Sequence, residues 1–262
     1  MNGQLAKGLR ILMLRAWLPI VLIAAWWVAS ASSSSLYFPP LKEILETFRA
    51  DWLFARVGSD LAPSLMRFGL GFLIAAVLGI VLGTVIGLNP TVRRATRPIV
   101  QFLRSIPPPA LLPIALLFFG IDSSMNIAII VIGAVWPTLL NTEDGVRSVD
   151  PQLRNLAKSY RLSRMQQLFF VTLPSASPQI FAGLRTTLQL SIVLIVVSEM
   201  IGAVNGVGFY VINAQQSFAI NETWAGTIVL GLIGYFATLV FIQIEKRVLA
   251  WQYGMRRALE EA

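Results

Sequence analysis

Long apolar runs separated by short polar stretches dominate the pattern of this sequence. A helix of about 20 apolar residues is long enough to cross a membrane, and six runs approach that length once their flanks are included. The runs are residues 11–31, 64–88, 99–121, 127–140, 180–204 and 223–244. The pattern predicts an all-α integral membrane protein with six transmembrane helices and a short cytoplasmic helix between spans four and five.

The runs divide the chain into three regions. Residues 1–60 are predicted to hold an N-terminal transmembrane helix and an outer amphipathic segment. Residues 61–250 are predicted to form a five-helix core that contains a polar loop at 141–178, and residues 251–262 are predicted to form a cytoplasmic tail.

The first apolar run has two interpretations. It follows the basic residues Lys7, Arg10 and Arg15 and ends in small residues, a pattern that is also typical of a cleavable signal peptide. We favour a spanning helix, because a count from Ile11, with Arg15 snorkelling to the surface, reaches about 20 residues.

Glycines and prolines mark special features of two spans. Gly79, Gly83 and Gly87 lie four residues apart in the second run, which predicts a small-residue face for close helix packing. The prolines at 107–109 and 113 interrupt the third run and remove backbone donors. In lipid such a break persists only where protein or a water-filled cavity satisfies the freed groups. The break therefore either lines a pathway or is a packing kink.

A polar, basic segment separates the fourth and fifth runs, between residues 149 and 180. Asp150 can cap a helix and Pro151 fits its first turn, so a short helix is predicted to begin here. Apolar residues then recur along one face of that helix at the i, i+3, i+4, i+7 spacing. These residues are Leu153, Leu156, Ala157 and Tyr160.

The same segment predicts two further helix starts. Ser163 with Gln166 three residues later is a capping-box pattern for a second short helix. Ser177 followed by Pro178 repeats the cap-and-proline pattern at the start of the fifth span. Two short helices at a membrane surface, the first of them amphipathic, are well placed to be held by a soluble partner.

Basic residues are distributed unevenly about the apolar runs. If the N-terminus is placed inside, the inner segments hold 17 of the 21 Lys and Arg residues and the outer segments hold four. This positive-inside pattern places the polar segment and both termini in the cytoplasm of a cell with a bacterial inner membrane. A net charge of +8 is also typical of proteins that bind nucleic acid. Because the charges here are confined to loops between spans, we attribute them to membrane topology and expect no nucleic-acid partner.

Composition excludes several classes of function. Hydrophobic residues make up 56% of the chain and charged residues 13%, against about 25% charged in soluble domains. The chain contains no Cys and no His, which excludes disulfides, most zinc sites and Ser-His catalysis. It also lacks the phosphate-binding GxxxxGK[ST] pattern, so we expect no catalytic residue, no metal site and no nucleotide bound in that way.

Polar residues in or beside the apolar runs are the candidates for a translocation pathway. Glu199 lies within the fifth run, where a carboxylate usually faces a bundle interior or an aqueous cavity. It either lines a pathway or holds neighbouring backbone groups near the outer interface. Gln189 is a weaker candidate that also fits an interhelical hydrogen bond. Arg104 and Pro107, at the break in the third run, complete the set.

The spacing of residues 155–174 matches a loop that is typical of one family of membrane proteins. In that family the loop has the form Glu-Ala-Ala, three residues, Gly, nine residues, Ile-x-Leu-Pro. The spacing falls here on residues 155–157, on Arg161 and on 171–174. The strictly matching residues are Ala157, Leu173 and Pro174. In this loop the chain resembles the membrane permease subunits of bacterial ABC importers.

Three other stretches extend the resemblance over nearly the whole chain, and they are most similar to the nitrate/sulfonate/taurine branch. Residues 36–48 resemble the family's outer segment, residues 104–121 its third span and residues 199–208 its fifth. The loop departs from the family in its missing Glu and in Arg161, which replaces the glycine of the turn. A left-handed Arg161 would cost about 1 kcal/mol, unless the turn shifts by one residue.

The resemblance implies a permease subunit of an ATP-binding-cassette importer that is not itself an enzyme. Two copies would form the pathway for a small solute such as nitrate, a sulfonate or taurine, delivered by an external or periplasmic binding protein. Two cytoplasmic ATPase subunits would bind ATP and Mg, and this chain would bind no cofactor. The alternative is an ion-coupled carrier or channel without an ATPase, which predicts charged residues within several spans, and only Glu199 is clearly within one.

The resemblance also places the contact with the ATPase in the polar segment. The residues assigned to coupling are Leu153, Leu156, Ala157, Lys158, Ser159, Tyr160, Arg161, Leu162 and Ser163. Either the apolar stripe docks, or it packs on the permease while the basic side docks. We expect Ala157→Asp to uncouple ATP hydrolysis from uptake while the protein still inserts.

Overall fold

The computed structural model describes residues 2–252, with side chains from residue 16 onward, and these residues form helices and no strands. The α-helices are α1 (Asn2–Ser30), α2 (Leu41–Ala50), α3 (Ala62–Leu88), α4 (Pro90–Arg104), α5 (Leu112–Phe119), α6 (Ser123–Arg147), α7 (Pro151–Ser159), α8 (Arg164–Gln167), α9 (Leu173–Gly202), α10 (Val207–Gln216) and α11 (Ile220–Val248). Asp51–Ala55, Val57–Leu61 and Leu168–Thr172 are π-helical, and Pro108–Leu111 is a 3-10 helix. Most of the predicted tail at 251–262 and the side chains of Lys7, Arg10 and Arg15 lie outside the described residues.

Four helical segments of the described chain are long and apolar enough to cross a membrane. They are Val57–Leu88, Ser123–Arg147, Arg164–Gly202 and Ile220–Val248. They contain the predicted second, fourth and sixth spans and all but the last two residues of the predicted fifth span. A fifth candidate consists of α4 and the segment Pro108–Phe119, which are bent by 85° with respect to each other. The described apolar part of the N-terminal helix is shorter than a full span. The count of six spans therefore stays a prediction.

Helices α3 and α6 pack closely because glycines remove side chains from their interface. A Cβ atom on Gly79 would lie 2.7 Å from the Cβ of Thr138, and one on Gly83 would lie 2.5 Å from the carbonyl oxygen of Leu139. A Cβ atom on Gly87 would make a tight but longer contact, 3.0 Å from the carbonyl oxygen of Glu143. The structure therefore confirms the predicted small-residue face, which allows the two helix backbones to approach each other.

Helices α6 and α9 are joined by close backbone contact and by buried hydrogen bonds. A Cβ atom on Gly183 would lie 2.8 Å from the carbonyl oxygen of Pro137. The Thr187 hydroxyl donates to the carbonyl oxygen of Ala134 at 2.9 Å and lies 2.7 Å from the hydroxyl of Thr138. Because both threonines are fully buried, these bonds satisfy polar groups that would otherwise be costly in an apolar core.

The proline break of the third run has a packed side and an open side. Pro108 packs on Gly133 of α6, where an added Cβ atom would lie 2.8 Å from the Cβ of Pro108. Pro107 is exposed. The chain bends sharply between α4 and α5 because the prolines remove donors and fix φ.

The fifth span does not begin at Ser177-Pro178, so that predicted helix start is wrong. The helix is continuous from Arg164 through the π-helical segment to Gly202. Pro178 has no N–H to donate to the carbonyl oxygen of Pro174, and the Ser177 hydroxyl donates to that oxygen instead, at 2.8 Å. The hydroxyl therefore replaces the missing backbone donor and allows the helix to pass through the proline.

A second apolar cluster holds α10 against α11 and the π-helical segment at Asp51–Ala55. Trp52 and Tyr210 form an edge-to-face pair with ring centroids 4.9 Å apart, and both are buried with Val211 and Ala225. The Tyr210 hydroxyl donates to the Asp51 carboxylate. Burial, together with this carboxylate, raises the pKa of Tyr210 above its usual 10, so the phenol remains a hydrogen-bond donor even in alkaline solution.

Candidate coupling segment, buried ion cluster and pathway residues

Helix α7 forms as the sequence predicts and is fixed to the end of α6. Asp150 Oδ1 accepts from the Gln152 backbone N–H at 2.7 Å, and Pro151 occupies the first turn. Arg154 Nη2 donates to the carbonyl oxygen of Val146 at 2.6 Å. This charged bond satisfies a free carbonyl at the C-terminus of α6 and interacts favourably with its dipole. Any displacement of α7 therefore acts directly on α6.

The turn after α7 places Arg161 in the left-handed region, with φ of 51°. The Leu162 N–H bonds to the carbonyl oxygen of Ala157 at 3.1 Å, and the Arg161 N–H bonds to that of Lys158 at 2.9 Å. These two bonds are those of a Schellman motif with Arg161 at the position that glycine normally occupies. The sequence left two outcomes open, a left-handed Arg161 or a turn shifted by one residue, and the structure has the left-handed Arg161.

The predicted capping box opens α8. The Ser163 hydroxyl accepts from the Gln166 N–H at 3.3 Å, and the Gln166 side chain accepts from the Ser163 N–H at 2.8 Å. Helix α8 then continues into α9. The α7–α8 segment, residues 151–167, is thus fixed to α6 at one end and forms one helix with α9 at the other.

Most of the residues assigned to coupling are exposed. Leu153, Leu156 and Tyr160 expose 43%, 53% and 74% of their surface, which is unusual for apolar side chains that are not in contact with lipid or a partner. Ala157 is 4% exposed, so it packs within the chain. Leu162 is partly buried, and the other members of the set are exposed: Lys158, Ser159, Arg161 and Ser163.

Glu199, the intramembrane carboxylate, is 1% exposed and is surrounded by donors. Its Oε1 accepts from Arg67 Nη1 at 3.0 Å, and the Ser64 hydroxyl lies 2.8 Å from both carboxylate oxygens. The Gly208 backbone N–H donates to Oε2 at 3.0 Å. Of the two interpretations of Glu199, these contacts correspond to the one in which it holds neighbouring backbone groups. A pathway role stays a prediction that no contact among the described residues supports.

Arg67 completes the cluster and was missed by the sequence analysis. Its guanidinium donates to Glu199, to the Ser123 hydroxyl at 2.9 Å, and to both the backbone and side-chain oxygens of Asn205. Arg67 is one of the four basic residues that the positive-inside pattern assigns to outer segments, although it lies inside the second apolar run. A buried arginine in a span needs a partner, and that rule is the signal that could have found it.

Glycines allow the chain to close around the carboxylate. Gly206 has φ of 120°, and a Cβ atom there would lie 2.5 Å from Glu199 Oε1. A Cβ atom on Gly208 would lie 2.9 Å from the Cβ of Glu199. The Ser64 hydroxyl also accepts from the Val207 N–H at 2.9 Å. The cluster thereby satisfies backbone donors at the start of α10 and joins α3, α6 and α9.

The four predicted pathway residues do not share one cavity. Arg104 lines a cavity of about 410 Å³ between α4 and the last turns of α6, and the lining does not include the other three. Pro107 and Gln189 are exposed, whereas Glu199 is buried. Gln189 forms part of a mostly exposed face of α9. The buried carboxylate of Glu199 is thus separate from the other three candidates, which are exposed.

The helical core is similar to that of a solved transporter. The chain superposes on a chain of the MetNI methionine ABC transporter in an inward-facing conformation with a TM-score of 0.62, covering 72% of this chain and 94% of that one. The sequence identity is 21%, so this likeness concerns the fold. The two chains therefore share a helical fold.

Sequence comparison identifies the family. Residues 75–249 match the model described as "Binding-protein-dependent transport system inner membrane component", and the chain belongs to this family. It is 33% identical over 238 residues to the taurine transport system permease protein TauC of Escherichia coli, covering 88% of this chain and 86% of TauC. It is 35% identical over 222 residues to the nitrate import permease protein NrtB of Synechocystis sp., covering 82% of this chain and 81% of NrtB.

Family membership settles the class of activity. The chain is the multi-pass permease of an ABC importer, which works with a binding protein and with an ATPase that is a separate subunit. It is therefore a transport subunit and not an enzyme. The carrier or channel that works without an ATPase is not favoured by these relatives.

Proposed function

We propose that two copies of this chain form the translocation pathway of an importer in a bacterial inner membrane, with both termini cytoplasmic. The positive-inside distribution of Lys and Arg supports this orientation. Each copy would present its α7–α8 segment to one of two ATPase subunits. ATP and Mg would be bound by those subunits and not by this chain. An external binding protein would deliver the solute.

The observation that carries the coupling role is the combination of exposure and attachment in α7. The exposed Leu153, Leu156 and Tyr160 form an apolar surface that a soluble partner can cover. Arg154 fixes the helix to α6, and the capped turn at Ser163 joins it to α9. A partner that moves α7 would therefore move two core helices together.

The exposed face of α9 supports a pathway between two copies. Gln189 and Thr186 are exposed on a helix long and apolar enough to span the membrane. Polar side chains in a span rarely face lipid and usually face another helix or a water-filled cavity. A second copy facing this surface would shelter these groups and line a pathway with them.

The solute class follows from the relatives and is part of the proposal. TauC is named for taurine and NrtB for nitrate, and both solutes carry a compact group of oxygens with negative charge. We therefore assign a small oxyanion or a zwitterion such as nitrate, a sulfonate or taurine.

The contacts of Glu199 oppose the carrier alternative, because a carboxylate occupied by an arginine, a hydroxyl and a backbone N–H is poorly placed to exchange protons.

Charge substitutions on α7 test the coupling role and distinguish its two faces. Leu156→Asp alters the apolar face and Lys158→Glu the basic side, while Thr91→Asp, at an exposed position of α4, serves as the control. If the apolar face docks, Leu156→Asp lowers co-purification of the ATPase and ATP-driven uptake in proteoliposomes, and the control retains both. If both Leu156→Asp and Lys158→Glu behave as wild type, the coupling role is rejected.

Thiol labelling tests the pathway, because the chain contains no Cys. The variant Gln189→Cys should react with a water-soluble maleimide in the assembled transporter. The variant Val77→Cys, on an exposed apolar face of α3, should not react if that face meets lipid. Equal labelling of the two variants, or no labelling of Gln189→Cys, would exclude this face of α9 from an aqueous pathway.

A further inference from the structure

The cavity that holds Arg104 is lined by one face of α4. Arg93, Arg97 and Arg104 all line it, at the spacing that places side chains on one side of a helix. The opposite wall is formed by the last turns of α6, with Glu143, Asp144 and Arg147, and the lining also includes apolar and neutral polar side chains. The cavity volume of about 410 Å³ is in the range of small-molecule sites.

The charges in this cavity do not balance. Arg147 lies 3.3 Å from Asp144 and 4.0 Å from Glu143, so it is paired with both carboxylates. Four guanidinium groups and two carboxylates line the site. Both carboxylates pair with Arg147, and no carboxylate of the described residues lies within 4.0 Å of the other three arginines, Arg93, Arg97 and Arg104. Like charges held together in a concave site repel each other and attract an anion.

From this arrangement we propose that the cavity between α4 and α6 binds a small water-soluble oxyanion. A guanidinium group offers two parallel N–H donors that match the oxygens of a sulfonate, sulfate, phosphate or carboxylate. Gln101 and Thr96 add neutral polar groups to the lining. The chemistry of the site thus selects negatively charged oxygen groups and disfavours cations.

The orientation of α4 favours a soluble anion over a lipid headgroup. Ile99 and Phe102, exposed by 58% and 69%, lie on the side of α4 away from the arginines. Acyl chains of a lipid would meet that apolar side, whereas the cavity opens on the polar side. A headgroup would have to reach around the helix, and a free anion does not.

The position of the site gives it a role in transport that rests on the proposed function. If α4 and the end of α6 are cytoplasmic, the cavity lies where an imported anion leaves the pathway or where the same anion accumulates after import. Occupancy would then respond to the cytoplasmic anion concentration. Binding itself depends only on the cavity and not on this orientation.

Sulfate binding to the purified transporter tests the proposal. The complex with its ATPase is placed in phosphatidylcholine nanodiscs, and sulfate binding is measured by isothermal titration calorimetry. Arg97→Gln and Arg104→Gln should each weaken binding about tenfold to a hundredfold, since each removes charge-assisted hydrogen bonds. Arg94→Gln is the matched control, because Arg94 is exposed on the same helix but does not line the cavity. Anion sites of the ATPase add the same background to every variant.

Several outcomes would overturn the proposal. If wild type and Arg97→Gln titrate alike, the cavity does not bind sulfate. If Arg94→Gln weakens binding as much as Arg97→Gln, the effect is general surface charge. If phosphatidylglycerol in the nanodiscs abolishes sulfate binding, the site belongs to a lipid headgroup. Intact sulfate binding without ATP-driven solute uptake would instead reject the proposed function and still support the anion site. Thermal unfolding of each variant serves as the control that it is folded.

Discussion

The substitution Glu199→Gln examines whether the buried ion cluster holds the core together. Glutamine keeps the shape of the side chain but removes the charge opposite Arg67, which lies 3.0 Å away. Both side chains are at most 5% exposed, so the remaining arginine charge cannot be solvated by water. Removing one partner of such a pair costs about 3–5 kcal/mol.

The contacts of Arg67 place the expected cost at the lower end of that range. The guanidinium retains the Ser123 hydroxyl and two oxygens of Asn205 as acceptors when Glu199 is replaced. We therefore expect Glu199→Gln to lower the free energy of unfolding by about 3 kcal/mol. The double variant Arg67→Met with Glu199→Gln should be less unstable than the sum of the single changes, because no unpaired charge remains.

A second ion pair in the same chain provides the control. Lys42 and Glu46 are 3.9 Å apart, with side chains 72% and 67% exposed. Glu46→Gln should therefore change stability by less than about 1 kcal/mol. Unfolding in mixed micelles of increasing sodium dodecyl sulfate measures both variants on one scale. If Glu199→Gln and Glu46→Gln shift the midpoint equally, the buried pair does not stabilise the core.

Three further predictions concern single positions. Arg161→Gly should raise stability by about 1 kcal/mol, because glycine has no penalty in the left-handed conformation, and a lower unfolding midpoint would contradict this. Gly83→Leu should prevent close packing of α3 on α6, since even a Cβ atom would lie 2.5 Å from the carbonyl oxygen of Leu139. In size-exclusion chromatography the variant should elute as aggregate, and a peak at the wild-type position would contradict this. Backbone and hydroxyl hydrogen bonds from Ser123 and Ser124 lower the pKa of Asp122 below its usual 3.8. The stability that ionised Asp122 contributes is therefore present above pH 3.8 and is lost as the pH falls through the lowered pKa. Asp122→Asn should make the free energy of unfolding depend less on pH in the acid range, as measured by unfolding over a series of pH values.

The features predicted well from sequence are those encoded over short distances. The capping box at Ser163, the helix start at Asp150 and the small-residue face around Gly83 each depend on residues a few positions apart. Local chemistry determines these elements, so the sequence pattern alone was sufficient.

The features that were missed depend on distant or compensating groups. Arg67 and Glu199 are separated by 132 residues, and nothing in the local sequence of either indicates the other. The helix start predicted at Ser177-Pro178 was wrong because the serine, which can cap a helix, instead replaces the donor that the proline lacks. In both cases the three-dimensional partner of a side chain decided its role.

The uninterrupted helix from Arg164 to Gly202 fixes the geometry of any motion between the two membrane faces. Its 39 residues, at 1.5 Å each, give a rod about 58 Å long. A tilt of about 5° about one end displaces the other end by about 5 Å, more than the length of a hydrogen bond. A small swing at the α8 end therefore carries α3 along through Arg67, unless the rod bends at its π-helical turn. Where the rod stays straight, the displacement at one membrane surface sets the displacement at the other.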